Sequence, residues 1–216
     1  MSRARVKICG ITSTRDLLTS VKAGADAVGF VVDAHRSPRN LPLDKAKRLM
    51  EATPIFVETI AVTIPENLRH LAKIYDELNP DVIQIHGLTR VHHEVRERLP
   101  DARLIRALQV KQGLTVDAVS ETADVFDAIL LDSGTSSGYG GTGKTHNWEL
   151  SRRVRDAIYP KPLILAGGLK PENVREAICM VRPYAVDVSS GVESRPGKKD
   201  SKKVFEFIKN AMEVEI

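Results

Sequence analysis

Eight short apolar runs, each followed by a stretch of helical periodicity, recur along the 216 residues of this chain. The runs fall at residues 6–9, 27–32, 55–62, 82–86, 104–108, 126–132, 163–166 and 185–188. Helical patterns follow at about 14–23, 44–52, 66–78, 91–98, 116–122, 149–158, 171–180 and 201–212, with Pro65 suited to open the third. Continuously apolar strands alternating with helices indicate a parallel sheet covered on both faces. Eight such units that close on themselves make a (β/α)8 (TIM) barrel, an α/β fold, read here as a single domain over residues 1–216. An open, doubly wound sheet is the alternative.

Charge and composition narrow the function. A net charge of +4 and a pI near 9.1 suit an anionic ligand. They fall short of a nucleic-acid footprint, because the densest basic run, 195–203, is broken by Pro196, Gly197, Asp200 and Ser201. Aromatic residues are only 5% of the chain, little material for base stacking. No apolar run approaches 18 residues and no basic start leads into an apolar segment, so neither membrane span nor signal peptide is expected. Two cysteines, Cys9 and Cys179, do not make a disulfide framework, and the cytoplasm is the expected location.

In a barrel the carboxyl ends of the strands converge on one mouth. Cys9, Gln84, His86, Asp132, the pair Gly167-Gly168 and the run Ser189-Ser190-Gly191 all stand at such ends. The glycines after the last two strands let backbone N–H groups approach an anion ahead of a helix N-terminus, which points to phosphate. Lys7 lies two residues before Cys9 on the same face of its strand, where an ammonium favours the thiolate. Asp132 emerges from the apolar Ile129-Leu130-Leu131 and is a candidate proton donor. Arg36 and Arg39 flank a proline in the second loop, near the mouth, and an arginine fork matches a carboxylate. No metal is expected, since His92 and His93 are adjacent and point apart on a helix. Gly138 to Thr145 spells a Walker A pattern, but five residues separate it from the strand, and a lid over the mouth accounts for the same glycines.

Several of these segments together resemble a known family. Lys7-Ile-Cys-Gly-Ile-Thr12, Ser37-Pro-Arg39, Gln84-Ile-His-Gly87, Leu131-Asp132, Gly140-Gly-Thr-Gly143, Ala166-Gly-Gly-Leu169 and Val186-Asp-Val-Ser-Ser-Gly-Val-Glu193 resemble phosphoribosylanthranilate isomerase of tryptophan biosynthesis, in the family's order and over nearly the whole chain. The resemblance implies a cofactor-free Amadori rearrangement of N-(5′-phosphoribosyl)anthranilate to the 1-deoxyribulose 5-phosphate. Cys9 matches the family's general base, Asp132 its general acid and Arg39 the residue that holds the anthranilate carboxylate. Gly167, Gly168, Ser189, Ser190 and Gly191 match the phosphate site, and Gly140, Gly141, Thr142 and Gly143 the lid loop. The implied partner is a small phosphosugar, with no nucleic acid and no membrane, acted on by a monomer or homodimer. The chain departs from the family's usual Phe-Asp-Trp after the glycines, where it carries His146-Asn147-Trp148. Another phosphosugar barrel, an epimerase or a histidine-pathway isomerase, is the rival reading, and a noncatalytic phosphate or nucleic-acid binder a third.

Overall fold

The structure is a computed structural model that describes residues 3–88, 92–111, 113–133 and 146–216. Eight parallel strands form its centre: β1 (Arg5–Cys9), β2 (Ala27–Val32), β3 (Glu58–Thr63), β4 (Val82–Ile85), β5 (Leu104–Gln109), β6 (Ala128–Asp132), β7 (Leu163–Leu165) and β8 (Ala185–Val188). Each strand pairs with the next. β1 then pairs with both β2 and β8, setting Lys7 beside Ala27 on one side and beside Asp187 on the other, so the sheet closes into a barrel. Eight helices alternate with them: α1 (Thr14–Ala23), α2 (Leu43–Glu51), α3 (Leu68–Leu78), α4 (His92–Arg98), α5 (Val116–Ala123), α6 (Trp148–Ile158), α7 (Val174–Val181) and α8 (Ser201–Met212).

Strand alternation divides the apolar residues into two cores. Val6, Ile8, Val28, Phe30, Ile83, Ile85, Leu104, Ile129, Leu131 and Val186 point outward and pack beneath the helices. Cys9, Val31, Ile60, Val62, Ile105, Leu130 and Ile164 point inward and fill the barrel. Helix ends follow local chemistry. Ser13 accepts from the backbone N–H of Asp16 to start α1, and Gly24, in the left-handed region, ends it.

Three boundaries differ from the pattern in the sequence. The third strand begins at Glu58, since Ile55 and Phe56 sit in a turn in which the Val57 N–H donates to the Pro54 carbonyl. Phe56 adopts a φ of 71° there, outside strand geometry. Helix α3 starts at Leu68, not after Pro65, because Asn67 caps it through the His70 N–H. Helix α7 starts at Val174, later than 171. The side chain of Asn173 instead spans the preceding turn, accepting from the Lys170 N–H and donating to the Gly168 carbonyl. A short hairpin, Glu193–Arg195 with Lys198–Lys199, follows β8 and left no periodic mark in the sequence.

Helix α8 closes the ring of helices by packing on α1, with Phe207 fully buried beneath it. Truncation of Phe207 to Ala removes that ring from the core and is expected to cost about 3–5 kcal/mol of folding stability. Urea denaturation of the variant measures it, and a loss under 1 kcal/mol would contradict this account of the closure.

Candidate active site

At the carboxyl ends of the strands lies a cavity of about 110 Å³, lined among others by Cys9, Ser37, Arg39, Gln84, His86, Asp132, Asp187, Ser189 and Ser190. Residues from β1, β4, β6, β8 and two loops therefore meet in one place. A wider cavity of about 1,090 Å³ opens at the opposite end, among Arg5, Ala27, Glu58, Val82, Leu104 and Ala185. Most of those residues begin strands. The smaller cavity gathers Cys9, Arg39, His86, Asp132 and Asp187 and stands at the end where barrels carry chemistry.

The floor of the site is charged. Lys7 Nζ donates to Asp187 Oδ1 at 3.0 Å, and both side chains are more than nine-tenths buried. Burial works against the ammonium, but Asp187 beside it, joined by Cys9 when that is ionised, outweighs burial and holds Lys7 above the usual lysine range. Cys9 goes the other way from the expectation drawn from Lys7. Burial pushes its thiol up, and the pull of Lys7 and Lys199 toward the thiolate does not overcome it, with Asp187 adding to the rise. At rest the sulfur carries its proton.

Arg39 stands at the wall with its fork engaged. Nε donates to Glu193 Oε1 and Nη2 to Glu193 Oε2, both at 2.7 Å. Glu193 Oε1 also accepts from Lys199 Nζ at 3.0 Å, and Lys199 donates in turn to the Ser189 carbonyl at 3.2 Å. Burial disfavours the Glu193 charge, yet Arg39 and Lys199 hold its carboxyl below the usual range. Lys199 is itself lowered, chiefly by burial. The hairpin thus ties the Arg39 loop to the Ser189–Ser190 turn, and the Thr12 hydroxyl binds the same hairpin by donating to the Gly197 carbonyl at 2.6 Å.

On the opposite wall, the Gln84 amide nitrogen lies 3.0 Å from His86 Nε2. Burial, then the charges of Lys7 and Arg106, push the His86 imidazole down to about 3, so it stays neutral. Asp132 ends β6 half-buried. Gly167 packs so tightly that a Cβ there would come 2.2 Å from the Ser133 nitrogen and 2.7 Å from Asp132 Oδ1, and its φ is +84°. Only glycine fits both demands. Gly191 approaches the Leu169 carbonyl just as closely, since a Cβ would lie 1.9 Å from that oxygen. Two buried polar atoms lining the cavity, Gln84 Oε1 and Ser189 Oγ, have no hydrogen-bond partner among the described residues.

The residues singled out in the sequence thus divide in three. Cys9, Arg39, Asp132, Ser189 and Ser190 line the cavity, together with Gln84 and His86. Gly167, Gly168 and Gly191 form the turns beside it. Gly140, Gly141, Thr142 and Gly143, with the rest of the Walker-like stretch, lie outside the described residues. Among the described residues no group of three or more His, Cys, Asp or Glu could hold a metal ion. Nor is any helix among the described residues long and apolar enough to cross a membrane. Asp187, Glu193 and Lys199 were not singled out. For Asp187 a signal existed, a charge inside an apolar strand two residues after Ala185, which marks an inward position needing a partner. Glu193 stood only as the last residue of the Val186–Glu193 segment, and Lys199 gave no signal, because a two-stranded hairpin has no periodicity to read.

Known proteins resemble this chain over nearly its whole length. A family model described as N-(5′-phosphoribosyl)anthranilate (PRA) isomerase matches residues 6–210. A relative from Methanothrix thermoacetophila, named N-(5′-phosphoribosyl)anthranilate isomerase, is 44% identical over 207 residues, covering 95% of this chain and 96% of its own length. A crystal structure described as monomers of dimeric phosphoribosylanthranilate isomerase from Thermotoga maritima superposes with a TM-score of 0.83 at 38% identity, covering 96% of this chain and 98% of that one. Another phosphoribosylanthranilate isomerase structure, in complex with reduced 1-(o-carboxyphenylamino)-1-deoxyribulose 5-phosphate, gives 0.79 at 38% identity with the same coverage. With nearly its whole length matched by the family model, by sequence relatives and by solved structures, this chain belongs to the N-(5′-phosphoribosyl)anthranilate isomerase family.

Proposed function

We propose that this enzyme converts N-(5′-phosphoribosyl)anthranilate to 1-(2-carboxyphenylamino)-1-deoxyribulose 5-phosphate, with Asp132 as general acid and Cys9 as general base. The observation that carries the reading is that a thiol and a carboxyl from β1 and β6 line the same small cavity, beside an arginine and a serine-glycine turn. Asp132 gives its proton to the furanose oxygen, the C1′–O bond breaks, and the nitrogen lone pair forms the protonated Schiff base. Cys9, as thiolate, takes the proton from C2′, and that electron pair makes an enolamine that returns to the ketone by protonation at C1′. The proton gained by Cys9 restores Asp132 through solvent. Hydrogen moves within one molecule, so neither oxidant nor cofactor is called for.

Arg39 would meet the anthranilate carboxylate with Nη1, the nitrogen not spent on Glu193. The N–H groups of the Gly167-Gly168 and Ser189–Gly191 turns would take the phosphate. Gln84 Oε1 and Ser189 Oγ would find in sugar hydroxyls or phosphate the partners they otherwise lack. Two free cysteines, one of them exposed, support a reducing cytoplasm as the place of work.

Assembly as a homodimer is part of the same reading. Ile55 and Phe56 are 83% and 97% exposed at the rim of the wide cavity at the far end of the barrel. A projecting apolar turn beside a broad hollow on the same face offers the self-complementary surface that a two-fold interface requires. The Thermotoga maritima relative described as dimeric supports the same choice.

Three outcomes are expected. Cys9→Ser and Asp132→Asn each lower kcat by about 10²–10⁴ while still binding the reduced product analogue; near-parental turnover in either removes that residue from its role. The reactive arrangement, proton on Asp132 and none on Cys9, has the same proton count as carboxylate with thiol, so kcat is level between about pH 7 and 8.5. A histidine-like inflection in that window would point to a different acid or base. Finally, Phe56→Glu halves the mass seen by sedimentation and keeps kcat within about twofold. A parent already monomeric, or a variant still dimeric, would defeat the interface.

A further inference from the structure

The ladder of β6 ends at Asp132, whose carbonyl still accepts from the Val110 N–H. Ser133, the next residue, lies beyond the ladder. On one side it is pressed against Gly167, where its nitrogen and Oγ both crowd the space a Cβ would fill, next to Asp132 Oδ1. On the other side His146 Nδ1 lies 2.9 Å from Ser133 Oγ. The same ring places Nε2 at 2.6 Å from Ser151 Oγ, a hydroxyl fully buried on α6. That helix is capped by Asn147 through the Glu149 N–H and anchored by buried Val154 and Ile158. The imidazole is thus bonded at both nitrogens, once to the residue that follows Asp132 and once to a fixed helix.

We propose that His146 is a positioning residue for Asp132, holding the carboxyl end of β6 against Gly167 by bridging Ser133 to Ser151. The proposal rests on the assignment of Asp132 as the general acid. A neutral imidazole has one donor and one acceptor, and a hydroxyl serves as either, so each tautomer completes the chain. Burial keeps the ring neutral, pushing it down to about 4. Phenylalanine, the residue the family usually carries here, fills the same space but leaves the Ser133 and Ser151 hydroxyls without their ring partner, so that only backbone bonds hold the end of the strand. The function is not capping, because Asn147 caps α6 independently. A carboxyl that must meet one ring oxygen of a sugar is sensitive to such a tether, since a misplacement of about 1 Å costs on the order of a hundredfold in rate.

The test is a cycle of His146→Phe, Ser133→Ala and the double variant, with kcat and KM measured for N-(5′-phosphoribosyl)anthranilate. Each single variant is expected to lose about tenfold or more in kcat with KM moved less than about threefold, while the affinity for the reduced product analogue is kept. The double variant is expected to be no worse than either single one, because both remove the same tether. Parental kcat in His146→Phe, or losses that multiply in the double variant, would overturn the proposal. If His146→Phe does not fold, Ser133→Ala alone decides by the same kcat criterion. Asp132→Asn, run alongside, separates the two levels. An active Asp132→Asn enzyme refutes the assigned acid, whereas an inactive one beside a fully active His146→Phe enzyme refutes only the tether.

Discussion

The pairing of β1 with both β2 and β8 is the contact on which the rest of the molecule depends. Lys7 and Asp187 face one another in that register and join across the seam inside the barrel. An ion pair removed from water is costly unless both members are well matched, so this pair commits the two strands to one alignment. That alignment brings Cys9, two residues above Lys7, into the mouth beside the Ser189–Ser190 turn, two residues above Asp187. A slip by one residue would turn Lys7 outward into the apolar layer under the helices. Closure of the barrel and placement of the base are in this sense the same event.

Above that floor the mouth is held by a second chain of charges. Arg39, Glu193, Lys199 and the Ser189 carbonyl link the second loop, the hairpin and the turn after β8. An arginine already matched by a carboxylate keeps its orientation in the empty site, so little is lost in ordering it when a ligand arrives. The sulfur is treated differently. Burial keeps its proton on, and nearby Lys7 and Lys199 lessen the cost of removing it, which leaves a group inert at rest and basic when ionised.

Much of this was legible in the sequence because burial on both faces imposes long apolar runs, and runs of that kind announce parallel strands. All eight strands and eight helices stood out on that ground, and so did the glycines and hydroxyls at strand ends. What failed to show has a physical reason in each case. Ile55 and Phe56 read as strand because they are apolar, although they lie in an exposed turn. Pro65 reads as a helix start, but the side chain of Asn67 makes the stronger cap. The thiolate expected from Lys7 neglected burial, which no spacing of residues reveals. The partners of Arg39 and His146 are distant in the chain or set in irregular turns, beyond the reach of periodicity.

The linkage of Arg39, Glu193 and Lys199 also limits how this scaffold can be rebuilt. Grafting a foreign second loop would leave the buried Glu193 with Lys199 as its one remaining cation, while grafting a foreign hairpin would strand the guanidinium of Arg39. Designers who want new substrates in this mouth therefore have to transplant the two separated segments as one cassette.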